Sequence, residues 1–416
     1  MQVGDRVRVE RGDVSVTGTV LPSTTDKHLV VKQPSGYNVG VDRADASVEI
    51  LEQGAIEIDE ANTSPGSTGR VEVDPELPTI SLLSTGGTIA STVDYRTGAV
   101  SPQFDVDDVL RIIPELEGLA NYRGRVVSNI LSENMSPAVW QELARAIGEE
   151  IEAGADGIVV MHGTDTMQYT ASMMAFMIET PVPIVFTGSQ RSADRPSSDN
   201  VMNAVCAVTA AKSDIAEVLV CMHASNSDDL CSLHRGTRVR KNHTSMRPAF
   251  ETVGGRSLAT VDYEDRSIEL RDGATPRERG AVDLAISTEL NTNVELLKFT
   301  PDAPADRLSA CSGQDGIVIE GTGLGHVNEE WREAVATLAR DTAIVMTSQC
   351  LDGRICDRVY ETGRDLLEAG VIEAEDTLPE TALVKLMWVL ANEESVPESM
   401  QISLAGECTA QSRPWS

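Results

Sequence analysis

The sequence predicts an α/β protein: a larger α/β domain with a mostly parallel sheet, a smaller C-terminal α/β domain after it, and a small β-barrel module in front. Three observations lead to this prediction. Short alternating strands fill residues 1–52, a polar stretch covers 53–76, and apolar runs alternate with helical segments after that. Such alternation is typical of a parallel sheet covered by helices. We therefore predict α/β domains at 77–275 and 276–416, which meet near the stretch TPRERG.

The N-terminal module is recognisable from the runs VGDRVRVERG, VSVTGTVLP, HLVVKQPSG and YNVGVD, which are separated by Gly, Pro and Asp turns. Short alternating strands split by such turns suggest a small five-stranded barrel or a similar β module. Small barrels bind RNA or protein. Tyr37 is the only aromatic residue of the module, so it lacks a platform on which bases could stack. We favour protein docking for this module and keep RNA binding as the alternative. The Ser, Pro, Gly and acidic residues at 53–76 predict a linker.

The α/β part is predicted from apolar, β-rich runs that could form buried strands, namely TISLL, GIVVM, PIVFT, EVLVCM, GIVIE and AIVMTS. The clearest helix is predicted at 136–154. Ser136 suits its N-cap, Pro137 its first turn and Gly154 its C-terminal stop. Its apolar residues recur every four positions, at Val139, Leu143, Ile147 and Ile151.

Composition limits the classes of protein that fit. The formal net charge is −31, and only six of the 34 basic residues are lysines. An acidic, lysine-poor chain predicts a halophilic source, because concentrated salt screens the self-repulsion; a basic partner is the alternative. Seven scattered cysteines without CxxC spacing predict free thiols, and no apolar run is long enough for a membrane helix. The start shows no apolar signal core, so we expect a cytoplasmic protein.

Polar motifs follow the predicted strands at the point where each strand ends. TGGTIAS follows TISLLS, HGTDT follows GIVVM, GSQRSADRPSSD follows PIVFT, and a longer segment containing Lys241 follows EVLVCM. Ligands of open α/β sheets bind at the carboxyl ends of the strands. A GxSxG elbow, a P-loop and an HExxH motif are all missing, and GTGLGH does not fit GxGxxG. These observations predict a site built from hydroxyls, Asp165 and Lys241.

A threonine can act as a nucleophile when a neighbouring base takes its proton, and a lysine held by an aspartate and a second threonine would suit that task. Glycines beside it let backbone N–H groups approach a developing oxyanion. Alternatively, TGGT is only a tight turn, and HGTDT is a helix N-cap with Asp165 at the dipole. The occurrence of both motifs in one series of strand ends favours a catalytic site.

At these residues the sequence resembles the L-asparaginase/glutaminase family, whose two signatures match TGGTIA (85–90) and HGTDTM (162–167). The resemblance implies an asparaginase-like domain pair over about 78–391. It implies that Thr88 is the nucleophile and Thr85 a residue that shapes the turn. Tyr95 would lie on the loop that closes over the nucleophile.

The same resemblance implies a proton relay of Thr164, Asp165 and Lys241. Ser132 would hold the substrate α-carboxylate. Glu133 stands where many members have glutamine, and a carboxylate there would still pair with an α-ammonium group. Backbone N–H groups near Gly87 and Thr164 would stabilise the oxyanion.

The variants YRTGAV, NILSENM, TGSQRSADRPSSDN, HRGTRVRKNHTS and LPETALVKLMWVLA, together with the extra β module, resemble the D subunits of archaeal glutamyl-tRNA(Gln) amidotransferases. The resemblance implies a glutaminase that supplies ammonia to a partner, the amidotransferase E subunit, in a dimer of heterodimers. The partner would use ATP and Mg²⁺ to convert Glu-tRNA(Gln) to Gln-tRNA(Gln) and would hold most of the tRNA. We expect no cofactor and no metal in this chain. The alternatives are a free-standing cytoplasmic L-asparaginase and a scaffold protein with a disused site.

Two further features have two interpretations each. A basic run would face a partner or RNA phosphate, or would neutralise acids near the active site; it consists of Arg235, Arg238, Arg240, Lys241 and Arg247. His162 is interpreted as a structural hydrogen-bonding residue in preference to a general base. His234 and His243 stand alone, without the company of other metal ligands.

Overall fold

The computed structural model describes residues 4–12, 14–21, 28–32, 38–44, 46–53, 74–86, 109–110, 113–191, 197–356 and 358–410. Its first strands are β1 Arg6–Arg11, β2 Val14–Leu21, β3 His28–Lys32, β4 Asn38–Asp42 and β5 Ser47–Glu52. They form an antiparallel sheet in the order β4-β3-β2-β1-β5. Strands β4 and β5 are the two edges of this sheet, yet the connection between them is short and contains a turn in which Ala46 N donates to Arg43 O at 3.4 Å. Such a connection is too short to cross a flat sheet of five strands. The sheet must therefore curl around its valine-rich core, as predicted for a small barrel.

The larger α/β domain has an eight-stranded sheet in the order β16-β15-β12-β11-β10-β8-β6-β7. Its strands are β6 Thr79–Ser84, β7 Asn121–Val126, β8 Gly157–Met161, β10 Ile184–Thr187, β11 Val218–His223, β12 Leu230–Arg235, β15 Ala259–Asp262 and β16 Ile268–Leu270. Five neighbouring strands of this sheet, β11, β10, β8, β6 and β7, are parallel to one another. Strands β12, β15 and β16 continue the sheet beyond β11, and each is antiparallel to its neighbour. The predicted strands are confirmed, and the antiparallel extension is additional to them.

Helices cover both faces of this sheet: α1 Pro137–Glu152, α2 Met167–Met177 and α3 Asn200–Ala211. The predicted helix at 136–154 is confirmed by α1, with Ser136 at its N-cap and Pro137 in its first turn. The Ser136 side chain makes no capping hydrogen bond, however. Leu143 and Ile147 are buried as their spacing predicts. Single 3₁₀ turns lie at Pro114–Leu116 and Ser132–Asn134.

The smaller domain has a parallel sheet in the order β18-β19-β20-β21, formed by β18 Val294–Lys298, β19 Gly316–Gly321, β20 Ala343–Ser348 and β21 Ile372–Glu373. Its helices are α4 Asp306–Ser309, α5 Glu329–Leu338, α6 Glu361–Glu368, α7 Pro379–Asn392 and α8 Val396–Gln401. Helix α7 packs on β19 and also on α2, so it joins the two domains. The predicted fold class is confirmed, whereas the exact domain boundaries stay predictions.

Two short ribbons complete the fold. One pairs β9 Ile178–Glu179 with β17 Ala285–Ile286, and the other pairs β13 Val239–Lys241 with β14 Phe250–Thr252. The second ribbon places Lys241 beside the end of β8. Within the described ranges, none of the helices combines the length and apolar character needed to cross a membrane.

Candidate active site

The centre of the site is the ammonium group of Lys241. Lys241 Nζ donates to Thr164 Oγ1 at 2.8 Å and to Asp165 Oδ1 at 2.7 Å. The lysine side chain is 9% exposed, whereas the Asp165 side chain is 68% exposed. The structure therefore brings together the three residues of the predicted relay, with the hydroxyl on the buried side and the carboxylate facing outward. Their catalytic roles stay predictions.

The turn between β8 and α2 delivers Thr164 and Asp165 to the lysine. Strand β8 is wholly buried and ends at Met161, and α2 begins at Met167 with Thr166 as its N-cap residue. The Thr166 side chain does not cap the helix, because its hydroxyl donates to Ser132 O at 2.7 Å. The motif is thus more than a helix start: its hydroxyls at 164 and 166 bond to other segments.

Ser132 lies against this turn. It is buried in its 3₁₀ turn, and a Cβ atom placed on Gly163 would stand only 2.7 Å from Ser132 Cβ and 2.9 Å from Ser132 Oγ. Real Cβ atoms do not approach so closely, so only glycine at 163 allows the serine to sit here. Neighbouring Glu133 is exposed. This is a suitable position for a residue that meets the polar end of an amino acid entering from solvent.

The end of β6 approaches the same place. Thr85 is buried; its N–H donates to Met161 O at 3.1 Å, and its carbonyl accepts from Ile130 N at 3.1 Å. Gly86 has φ +109°, and a Cβ there would lie 2.4 Å from Ile130 O. Both the conformation and the lack of space require glycine. The predicted nucleophile Thr88, the predicted loop residue Tyr95 and Gly87 lie outside the described residues, so their predicted roles stay predictions.

His162 is a structural residue. It is buried beside Phe186, and its Nδ1 lies 2.7 Å from Gly163 O. Burial lowers the pKa of His162 to about 4, against a weaker opposite effect of the Gly163 carbonyl. The ring is therefore neutral at neutral pH, with its one proton donated to a backbone carbonyl, and this geometry favours the structural interpretation over a general base.

The predicted basic run is paired with acids. Arg235 makes two hydrogen bonds to Glu217 (2.6 and 2.9 Å), Arg238 pairs with buried Asp376 (3.2 Å), Arg240 lies 3.5 Å from Glu380, and Arg247 bonds to Asp228. The contact between Arg240 and Glu380 lacks hydrogen-bond geometry, so it is an ion pair only. Burial raises the pKa of Glu380, and Arg240 opposes that rise. These pairs favour the neutralising interpretation, and two of the four acids, Asp376 and Glu380, belong to the smaller domain.

Gln168 is a residue of the site that the sequence did not reveal. It lies in the first turn of α2, is 8% exposed, and its Oε1 accepts the backbone N–H of Lys241 at 3.2 Å. The sequence carries no signal for this contact. Gln168 and Lys241 are 73 residues apart, and no spacing along the chain links them.

The comparisons with known proteins agree with this geometry. Residues 79–275 match the family model described as "Asparaginase, N-terminal", and residues 293–402 match the "Glutaminase/Asparaginase C-terminal domain". The thermostable L-asparaginase from Thermococcus kodakarensis is 34% identical with a TM-score of 0.73, over 80% of this chain and 100% of that chain. The two α/β domains are therefore of the asparaginase type, an amidohydrolase class.

The remaining comparisons are more specific. Residues 1–51 match the "GatD N-terminal domain" model. The chain is 62% identical over 421 residues to the D subunit of glutamyl-tRNA(Gln) amidotransferase from Halobacterium salinarum, covering 99% of each chain. It is 51% identical to the protein of that name from Methanosarcina mazei, over 97% of this chain and 96% of the relative. This chain belongs to the family of glutamyl-tRNA(Gln) amidotransferase D subunits, which confirms the resemblance inferred from the motifs.

Proposed function

We propose that this chain is the glutaminase subunit of a glutamyl-tRNA(Gln) amidotransferase. One observation carries the proposal: in a chain that matches D subunits over its whole length, Lys241 Nζ bonds both Thr164 and Asp165 at the strand ends of an asparaginase-type domain. A scaffold protein with a disused site would not need to retain this arrangement.

The proposed reaction starts with glutamine held by its amino-acid end. Ser132 binds the α-carboxylate, while Glu133 and Asp165 bind the α-ammonium group. The Thr88 hydroxyl gives its proton to the relay of Thr164 and Lys241 as its oxygen attacks the side-chain amide carbon. The oxygen of that carbonyl becomes an oxyanion stabilised by backbone N–H groups near Gly87 and Thr164.

The C–N bond then breaks. The nitrogen leaves as ammonia after it gains a proton relayed through Thr164 and Lys241, and the acyl group remains as an ester on Thr88. Water attacks this ester, which releases glutamate and restores the hydroxyl. The hydrogen bonds between Lys241 Nζ and its two partners support the relay, because they supply a continuous path for a proton.

The subunit name of the relatives implies a partner, and we propose the amidotransferase E subunit in a dimer of heterodimers. The partner binds ATP and Mg²⁺, holds most of the tRNA and receives the ammonia. We further propose that this chain needs no cofactor or metal and works in the cytoplasm of a halophile. The charge of −31 supports both the high-salt setting and a minor part in tRNA binding.

A free-standing L-asparaginase is the second candidate. The likeness to the Thermococcus kodakarensis enzyme favours it. The match of residues 1–51 to a module described for GatD weighs against it, because that module lies outside both asparaginase family models.

Ammonia release from glutamine and asparagine distinguishes the two candidates. The chain is measured in high salt, alone and then with the partner subunit, ATP and Glu-tRNA(Gln). We expect glutamine hydrolysis that rises sharply only in the complete mixture. Rapid asparagine hydrolysis by the chain alone, indifferent to tRNA, would instead establish the asparaginase.

Two threonine variants make a matched pair of controls for this assay. Thr88→Ala removes the proposed nucleophile and should abolish ammonia release. Thr85→Val keeps the shape of the side chain. It removes only a hydroxyl whose acceptor, Met161 O, is as far away as 3.4 Å, so this variant should remain active. Full activity of Thr88→Ala would mean that another residue is the nucleophile.

A further inference from the structure

The backbone of Lys241 is held as well as its ammonium group. Lys241 is the last residue of β13, which, within the described part of the chain, pairs with β14 along one edge and with no strand along the other. Successive N–H groups of a strand point in opposite directions, and Asn242 N donates toward the β14 side, to Ala249 O at 2.7 Å. The N–H of Lys241 therefore points to the open side of the ribbon, where Gln168 Oε1 accepts it at 3.2 Å.

The segment at the N-terminus of α2 therefore binds both the side-chain nitrogen and the main-chain nitrogen of Lys241. Thr164 and Asp165, just before α2, bind Nζ, and Gln168, in the first turn of α2, binds the main-chain nitrogen. Helix α2 is packed into the core of the larger domain, so this anchor is rigid. Without the acceptor, a partly buried N–H would lose its partner and the short ribbon could move relative to Thr164.

We propose that Gln168 is a positioning residue for the amide-hydrolysis reaction: it sets the place of Lys241 relative to Thr164 without touching the substrate. The proposal rests on the proposed function. A displacement of about 1 Å at a catalytic group can cost about a hundredfold in rate. Substrate binding by Ser132 depends on a different contact, from Thr166 to Ser132 O, and should change little.

The test compares three variants of the full chain in complex with its partner, with kcat and KM measured for glutamine hydrolysis. Gln168→Met keeps the length of the side chain and removes the acceptor; we expect kcat to fall about 10- to 100-fold and KM to change less than about threefold. Gln168→Glu keeps an acceptor oxygen and should restore kcat to within about tenfold of the wild type. Gln141→Met is the matched control, because Gln141 also bonds a backbone group, Thr288 O at 2.9 Å, but outside the site.

Each outcome has one meaning. Loss in Gln168→Met with recovery in Gln168→Glu supports positioning, and faster hydrogen exchange of the 239–250 peptide in the methionine variant alone supports it further. Wild-type kcat in Gln168→Met overturns the proposal while the proposed function stands. An equal loss in Gln141→Met overturns it too, since the effect would then be general. If the wild type hydrolyses neither glutamine nor asparagine, the proposed function is wrong, and the positioning proposal, which rests on it, is wrong with it. Should Gln168→Met not fold, Gln168→Asn, which is too short to reach the amide, replaces it.

Discussion

The buried ion pair between Lys385 of helix α7 and Glu407 gives the sharpest test of the fold. Lys385 and Glu407 are both fully buried, and Lys385 Nζ lies 2.6 Å from Glu407 Oε1. The ammonium also donates to Met400 O at 3.0 Å and to Ile402 O at 2.6 Å, so all three of its N–H groups have acceptors. Replacing Lys385 by Met removes the cation and leaves a buried carboxylate.

The size of the effect follows from these contacts. Breaking a buried ion pair by removing one partner costs about 3–5 kcal/mol. Glu407 keeps hydrogen bonds from the N–H groups of Leu404 and Ala405, so we expect the lower end, about 3 kcal/mol, for Lys385→Met. The double variant with Glu407→Gln has no buried charge left, and it should lose clearly less than the sum of the two single losses.

Urea unfolding at one fixed salt concentration measures these free energies, with Trp388 on the same helix contributing to the fluorescence signal. Lys298→Met is the control, because Lys298 pairs with Glu320 at 3.0 Å while its side chain is 57% exposed. Such a surface pair is worth about 1 kcal/mol or less. Equal losses in Lys385→Met and Lys298→Met, or simple additivity in the double variant, would refute the reasoning.

Three other predictions concern the active site and its surroundings. Thr164→Val removes the hydroxyl of the proposed relay and should lower kcat for glutamine at least about a hundredfold, which steady-state ammonia release would reveal. Gly163→Ala forces a methyl group against Ser132 and should raise KM about tenfold or more, because it weakens the proposed contact between Ser132 and the substrate carboxylate; kcat should change less. Burial lowers the pKa of His162 and of His234 to about 4 from the ordinary 6.5, so the unfolded chain takes up protons first as the pH falls. The stability that the neutral rings provide is full above pH 6.5 and is lost progressively toward pH 4, by about 3 kcal/mol for each ring. Unfolding experiments between pH 7 and 5 should show this slope, and His234→Gln should reduce it; an unchanged slope in that variant would contradict the assignment.

The buried parallel strands and α1 were predictable because their signals are local. Runs such as GIVVM are continuous and apolar, and all five residues of β8 are buried. The antiparallel extension was not predicted, since β12 (LCSLHR) mixes buried and half-buried positions and resembles a loop between stronger signals. Tertiary pairing with β11 and β15, not local preference, makes it a strand.

The site was predictable only in part. The strand-end rule placed Thr164, Asp165 and Lys241 near one edge of the sheet, although Lys241 lies 77 residues beyond Thr164. The family resemblance was needed to join the three in one relay. The arginine partners were not predictable, because Arg235 and Glu217 are 18 residues apart and Arg238 and Asp376 are 138 apart. No pattern along the chain encodes contacts at such separations.

The contact between Gly86 and Ile130 has a consequence for altering substrate length. The two loops proposed to carry the nucleophile and the carboxylate-binding serine touch through bare backbone, with Ile130 O where a side chain of residue 86 would begin. The two backbones can approach this closely only because glycine has no Cβ, and no other residue at position 86 could bring them closer. Selection for a shorter or longer amide substrate has side chains to exchange at residues 131–134, on the other side of this contact.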